Sequence, residues 1–483
     1  MHFLSLPVMA MLSRSHVPMT EAPPSQRVSS GLSWREKVGY GVADAGFNFY
    51  WTNLATFLMI FYTDVFGITA AAAGSVLSVV KLVSALSPPV IGALADRTRT
   101  RFGKFRPYLI WLALPLAGAG VLTYTTPNLS DGGKLVYAYC TYLFMVECYT
   151  AMNIPYNALS GVMTSDPQER TSINSLRFIF AFGGSALVTA ATPSLVKWLG
   201  NGNDRLGWQL TMLIWGIAAS GLFTMTFLKT RERITPPSSQ KPNVRQDLRD
   251  LMRNGPWLVL FFLAMTVMVT TSLRTATSAY YFKYYVQRPD LVGAFVPAYM
   301  AAAAVGASLT PLLTRFFDKR RLLIFLMGAV GLLSCAFFFV PKDQIAWMFA
   351  LQIAIGLALG PKPPLTFAMY ADTADYNEWR TGRRATAMTF AAATFSQKLG
   401  ISFAALVMGW GFTAVGYVAN APQTERAQSG ILMLISFVPG VFALVAMLVM
   451  MFYKLDKQAM SQIQADLAAR KAGATVSPDA SAG

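Results

Sequence analysis

Charge is scarce in this chain. Only 13% of its 483 residues are Asp, Glu, Lys or Arg, while 54% are hydrophobic and the mean hydropathy is +0.43. A soluble domain is about 25% charged, so this balance excludes an ordinary soluble enzyme and a disordered chain. Histidine is scarcer still. His2 and His16 both lie in the N-terminal tail, which leaves the apolar body no imidazole for a triad, a zinc site or a proton relay. The three cysteines, Cys140, Cys148 and Cys335, each sit inside an apolar run. They are too few and too scattered for a metal cluster and read as packing residues. No nucleophile–base pair with suitable spacing is present, so neither an enzyme nor a cofactor or metal is expected.

What the chain has in abundance is long apolar runs. Twelve are legible, near 38–62, 71–95, 107–126, 134–162, 171–199, 206–228, 256–286, 291–314, 321–340, 345–369, 386–417 and 428–453. Each is long enough as a helix, at about 1.5 Å per residue, to cross roughly 30 Å of hydrocarbon. The expected fold is an all-α polytopic membrane protein with twelve transmembrane helices. Prolines inside the runs, as in Ser87-Pro88-Pro89 and Gly360-Pro361-Lys362-Pro363-Pro364, would break soluble helices but are tolerated in a membrane bundle.

The basic residues set the orientation. With the N-terminus in the cytoplasm, 28 of the 40 Lys and Arg fall in cytoplasmic tails and loops. This is the positive-inside pattern, and it accounts for the net charge of +17 without a nucleic-acid partner. Both termini are then cytoplasmic, in a plasma membrane that reads as a bacterial inner membrane. The polar stretch 229–255, with Pro236-Pro237-Ser238-Ser239, divides the chain six plus six. The expected parts are a disordered tail 1–33, a six-helix bundle 34–228, a cytoplasmic linker 229–255, a second six-helix bundle 256–453 and a mostly disordered tail 454–483. A short amphipathic helix is expected around Val244–Arg253, and mixed-charge loops at Thr164–Arg170 and Asp372–Arg384. No basic region precedes Met1–Leu12, so it reads as an extension or an early start, with Met11 and Met19 also available, rather than a signal peptide. Two six-helix repeats of the same orientation are the layout of the major facilitator transporters.

An ionisable side chain at mid-membrane costs about 2.5–3.5 kcal/mol on insertion scales, so each one is a functional candidate. They are Asp44, Lys81, Glu147, Arg177, Arg274, Lys362 and Lys398. Lys81 and Arg177 are the best placed to snorkel to an interface; the bland role for the others is interhelical pairing. Five cations face two anions. Either some lysines are neutral, or the cavity is electropositive and suits an anionic substrate. Asp44 and Asn48 share a helix face at i, i+4, near Tyr40, Tyr50, Trp51 and Asn53. The fourth run carries Tyr149, Thr150, Asn153, Tyr156 and Asn157. Amides and hydroxyls beside rings suit a saccharide, whose hydroxyls need hydrogen-bond partners and whose C–H face stacks on aromatics. The same residues also commonly glue helices together.

Four stretches make the sequence familiar. They are Tyr62-Thr63-Asp64-Val65, the loop from Asp96 to Pro107, Asn153-Ile154-Pro155-Tyr156 and Asp375-Tyr376-Asn377-Glu378-Trp379. Over about residues 34–453 the chain resembles the glycoside–pentoside–hexuronide:cation symporters of the major facilitator superfamily, the branch that includes melibiose permease. The resemblance implies sugar uptake by alternating access. It places Asn48 and Asn153 where that permease has sugar-binding aspartates, Arg177 at a sugar-site arginine, Lys398 at a lysine near the site, and Tyr149 and Asn157 on sugar-site positions. Asp44 completes the expected substrate set. One departure matters. The family's two cation-site carboxylates on helix 2 fall on Ser84 and Pro88 here, which puts sodium coupling in doubt. H+ is then preferred over Na+ as coupling cation, with Asp44 and Glu147 as carriers. The expected substrate is a glycoside or, in view of the positive excess, an acidic sugar such as a uronide. A lipid or lysolipid transporter of the same fold and an uncoupled facilitator are the alternatives. Asp96, Arg97, Arg101 and Arg106 on one half, and Asp372, Asp375, Glu378, Arg380 and Arg383 on the other, are the expected inner gate. A monomer in the lipid bilayer is the expected assembly.

Overall fold

The computed structural model describes residues 32–164, 167–233, 249–382 and 386–474. The described chain is helical throughout, with one isolated bridge between Thr100 and Gly103. In the first half the helices are α1 (Trp34–Phe61), α2 (Ala70–Val83), α3 (Ser87–Arg97), α4 (Pro107–Trp111), α5 (Ala113–Thr123), α6 (Asp131–Met163), α7 (Pro167–Gly200) and α8 (Asp204–Lys229). The second half holds α9 (Gly255–Tyr280), α10 (Val292–Ser308), α11 (Thr310–Phe316), α12 (Lys319–Phe337), α13 (Ile345–Leu359), α14 (Lys362–Thr381), α15 (Thr386–Ala414), α16 (Glu425–Ile435) and α17 (Phe437–Met451). A last helix, α18 (Lys457–Ala474), follows.

Local chemistry sets the ends. Ser33 and Glu36 form a reciprocal capping box at the start of α1, with the Ser33 N–H donating to Glu36 at 3.1 Å and the Glu36 N–H to Ser33 at 3.3 Å. Asn254 accepts from the Trp257 N–H at 3.0 Å at the start of α9. Prolines explain the interruptions. The second apolar run is two helices, broken at residues 84–86 just before Pro88-Pro89, and the tenth is broken at Gly360-Pro361. A proline has no N–H for the carbonyl four residues back, so each break frees a carbonyl.

Among the described residues seven helices are long and apolar enough to cross a membrane, and shorter apolar helices span Ala70–Val83 and Pro107–Thr123. α1, α6 and α15 fall outside the seven. Asp44, Asn48 and Asn53 dilute the apolar character of the first, and Glu147, Asn153 and Asn157 that of the second.

Three expectations are corrected. Asp372–Arg384 is not a loop from its start, because α14 continues to Thr381. Its buried residues Lys362, Leu365, Thr366, Met369, Tyr370, Thr373, Ala374 and Asn377 keep helical spacing, while Asp372, Asp375, Glu378 and Arg380 lie at its less buried positions. The expected loop Thr164–Arg170 is likewise shortened, since α7 begins at Pro167. The tail after residue 454 is not disordered as far as Ala474. Met460, Ile463 and Leu467 form a buried stripe on α18, and the Trp379 indole on α14 donates to Asp466 at 2.9 Å. Of the amphipathic helix expected at Val244–Arg253, residues 249–252 are helical and the earlier part lies outside the described residues, as do 1–31.

The halves meet along several seams, two of which are built on small residues. α2 crosses α15 where Gly74 and Gly409 face each other; a Cβ on Gly74 would lie 2.6 Å from the Ala405 carbonyl and 2.9 Å from the Gly409 Cα. Only small residues allow such an approach. Ser78 and Ser402 follow at 2.6 Å. On the other seam α10 approaches α7, with Gly293 against Ala190.

Candidate functional site

The site grows from a polar seam inside the first half. Gly184 brings α7 against α1: a Cβ there would lie 2.8 Å from the Ala45 Cα. That approach lets Ser185 donate to Asn48 at 3.0 Å and accept from Thr52 at 2.9 Å. Two turns earlier on α7, the Arg177 guanidinium pairs with Asp44 through Nε and, at 3.3 Å, through Nη2. Asp44 is 7% exposed and also accepts from the Tyr156 hydroxyl at 2.9 Å. A buried carboxylate without such donors would be very costly. Arg177 lies over the Tyr156 ring at 4.8 Å, and its Nη2 donates to Asn157 at 2.7 Å. Asn157 in turn donates to Asn153 at 2.8 Å.

The expected substrate residues therefore fall into two groups. Asp44, Arg177, Asn157 and Asn153 form one hydrogen-bonded chain across α1, α7 and α6, and Asn48 joins it through the Asp44 carbonyl at 2.8 Å. Tyr149 stands apart from that chain, edge-on to Phe47 at 5.4 Å and tilted against Trp51 at 6.3 Å. Lys398 comes from the second half and donates to the Ser84 carbonyl at 2.7 Å. Ser84 is four residues before Pro88, so this carbonyl is one the proline leaves without an N–H. Arg274 repeats the device: its Nη1 donates at 2.8 Å to the carbonyl of Ile435, four residues before Pro439. Its Nη2 donates to Gln352 at 2.5 Å. Glu147, the second expected proton carrier, is half-buried on α6, and its charge reaches Lys398.

Neither Lys81 nor Arg177 snorkels to an interface. Arg177 is held by Asp44, and Lys81 is buried with its ammonium 4.6 Å above the Trp51 ring and 5.8 Å from that of Tyr142.

The expected inner-gate residues stand as follows. The Asp96 side chain and Arg383 lie outside the described residues. Arg97 and Arg101 are exposed, with Arg101 over the Phe102 ring at 4.6 Å. Arg106 lies over the Phe227 ring at 4.9 Å and donates to the Phe227 carbonyl. Asp372 pairs with Lys319 at 2.5 Å, and Arg380 donates to the Arg253 carbonyl at 2.7 Å. Each of these contacts stays within its own half. Asp375 and Glu378 are half-buried on α14.

Two groups have no counterpart in the sequence reading. Glu232, just past α8, accepts from the backbone N–H groups of Lys104, Phe105 and Arg106 at 2.8, 2.7 and 3.0 Å, which moulds the basic loop around one carboxylate. At the opposite end of the molecule Asp64 joins the halves. Its carboxylate accepts from Thr63 at 2.7 Å, from Lys283 at 2.5 Å and from the hydroxyls of Tyr284 and Tyr417. Asn420 donates to the Asp64 carbonyl at 2.5 Å, and Thr63 meets Tyr280 at 2.9 Å. The only hint in the sequence was Tyr62-Thr63-Asp64-Val65 closing the first run.

Known proteins resemble this chain in sequence and in fold. Residues 39–457 match the family described as MFS/sugar transport protein. The inner membrane symporter YicJ of Escherichia coli K12 is 35% identical, over 92% of this chain and 96% of that protein. The isoprimeverose transporter of Lactiplantibacillus pentosus is 33% identical, over 91% of this chain and 93% of that protein. A glucuronide carrier protein homolog of Escherichia coli K12 is 32% identical, over 91% and 96%. Among solved structures, the crystal structure of a D-xylose-proton symporter superposes with a TM-score of 0.62 at 14% identity, covering 86% of this chain and 97% of that one. At that identity the likeness is one of fold alone. The chain is an integral membrane transporter, not an enzyme, and belongs to the glycoside–pentoside–hexuronide:cation symporters within the sugar transport proteins of the major facilitator superfamily.

Proposed function

We propose that this protein imports a saccharide by cation-coupled symport, with an acidic sugar such as a uronide preferred to a neutral glycoside and H+ as the coupling ion. In this reading twelve helical segments cross a bacterial inner membrane, six in each half, with both termini cytoplasmic and the protein a monomer. The end closed by Asp64 is then the outer one, and the structure is an inward-facing state of an alternating-access cycle. The basic loop at Glu232 and the charges of α14 lie at the inner end, where closure in the outward-facing state brings them together.

The observation that carries the reading is the chain Asp44–Arg177–Asn157–Asn153 beside Tyr149 and Trp51. It offers amide and guanidinium groups to sugar hydroxyls and rings to a sugar's C–H face. The preference for an acid follows from charge. Asp44 neutralises Arg177, which leaves Lys81, Lys398, Lys362 and Arg274 against Glu147 alone. The proton assignment follows from Ser84 and Pro88, which supply no carboxylate for a sodium ion. Asp44 is already held by Arg177 and Tyr156, so Glu147 is the better carrier. The test is uptake into proteoliposomes of a labelled glucuronide and a matched neutral glycoside under a proton gradient, a sodium gradient or none. Proton-driven accumulation of the glucuronide, lost in Arg177→Ala, is expected. Sodium-driven accumulation overturns the coupling, and uptake of neither sugar overturns the substrate class.

A further inference from the structure

The buried cations of the molecule are not equivalent. Arg177 spends four of its five N–H groups on Asp44, Asn157 and the Tyr40 hydroxyl. Arg274 spends both Nη atoms on Ile435 and Gln352 inside the second half. Lys81 is different. It is 8% exposed, and among the described residues its ammonium has no hydrogen-bond acceptor. What it has instead is the face of Trp51 at 4.6 Å and that of Tyr142 at 5.8 Å. A ring face balances part of the charge of an ammonium but satisfies none of its three N–H donors.

Its surroundings add positive charge rather than remove it. The Lys398 ammonium lies within electrostatic reach of Lys81. Lys398 uses one donor on the Ser84 carbonyl, one turn along from Lys81, and among the described residues its ammonium has no other acceptor. The carboxylate acting on this pair is that of Glu147, and it acts on Lys398. Two amines against one carboxylate leave an excess of basic groups within the membrane, where an anion would stabilise their charged forms.

The spot also adjoins the polar chain described above. Trp51 is 37% exposed. One side of its ring is covered by Lys81, and Tyr149 stands at 6.3 Å. Asn48 is three residues before it on α1. Lys81 therefore stands against Trp51, next to residues expected to hold the sugar.

We propose that Lys81 and Lys398 form a monoanion subsite, beside Trp51, that takes the carboxylate of the sugar. The inference rests on the acidic-saccharide reading above and deepens it by naming the residues that discriminate acid from neutral sugar. The anion supplies acceptors for the free N–H donors and balances the excess charge. Because Lys398 comes from the second half and Lys81 from the first, the same carboxylate also ties the two halves together.

The test is calorimetric binding of p-nitrophenyl β-glucuronide and p-nitrophenyl β-glucoside to the purified full chain in detergent. The wild type, Lys81→Met and Lys81→Arg are compared. The wild type is expected to bind the glucuronide at least about ten-fold more tightly than the glucoside. Lys81→Met should remove that preference while leaving the glucoside within about two-fold, and Lys81→Arg should retain it. A preference that survives in Lys81→Met, or an equal loss of both ligands there, overturns the subsite and leaves the saccharide reading standing. Equal wild-type binding of both ligands overturns the subsite and the acid preference together. Binding of neither by a folded wild type overturns both the subsite and the saccharide reading.

Discussion

Replacing Asp64 by Asn removes a charge from the centre of the contact that holds one end of the molecule shut. The Asp64 side chain is 2% exposed, and its carboxylate accepts from Lys283 at 2.5 Å and from the Tyr284 and Tyr417 hydroxyls. All three partners belong to the second half. Hydrogen bonds to a charged group contribute about 1.5–3 kcal/mol each. The Asn keeps one oxygen acceptor, so part of this remains. Lys283 is 35% exposed and regains water when the contact opens, so its share is discounted toward the 0–1 kcal/mol of a surface pair. The net loss from the closed state is then about 2–3 kcal/mol, which moves the open-to-closed ratio by roughly 30- to 150-fold. Ser78 reports the change, because it is fully buried between the halves against Ser402. In a cysteine-free background carrying Ser78→Cys, the rate of alkylation by a membrane-impermeant maleimide added outside should rise by a comparable factor in Asp64→Asn. An unchanged rate, with the protein folded, refutes the argument that this carboxylate latches that end of the molecule.

Other outcomes follow from the same geometry. Gly184→Val places side-chain carbon where the Ala45 backbone already lies, 2.8 Å from a Cβ; overpacking of this kind costs about 1–3 kcal/mol, and both the melting temperature and uptake should fall. Arg177→Met leaves Asp44 buried without its cation, a change worth about 3–5 kcal/mol, whereas Asp44→Asn with Arg177→Met should recover the melting temperature but not sugar binding. Glu232→Gln removes the charged acceptor of three backbone N–H groups, so amide exchange at Lys104, Phe105 and Arg106 should accelerate by at least ten-fold, the equivalent of about 1.4 kcal/mol, while exchange in α9 is unchanged.

The sequence carried the helices well because long apolar runs leave the backbone no alternative in hydrocarbon. It also carried the polar content of α1 and α6, although the Asn48 amide meets the backbone carbonyl of Asp44 rather than its carboxylate, while the Asn157 amide meets the Asn153 side chain. Contacts made across the chain were harder to see. Arg177 could be suspected of joining Asp44 only through a resemblance, since 133 residues separate them. Asp64 at a helix end looks like any solvated acid until Lys283, Tyr284 and Tyr417 arrive from the other half. Charge itself misled at α14, where Asp372, Asp375 and Glu378 suggested a loop although Thr373, Ala374 and Asn377 kept the buried helical period. The same held for α18, whose stripe Met460–Ile463–Leu467 is short and set among polar residues. Lys81 is one of the two charges best placed to snorkel, and its burial beneath Trp51 shows that it does not.

The central claim is that sugar and proton move together, inward, through a site between the two halves. The most direct measurement is the pH of a weakly buffered, sodium-free suspension of cells expressing the protein, recorded as a non-metabolised glucuronide is added. The account predicts a rise in external pH that is abolished by a protonophore and absent in Glu147→Gln. Tracer entry of the glucuronide with no pH change in the wild type would contradict proton symport, as would a pH rise of undiminished size in Glu147→Gln contradict the carrier assigned here.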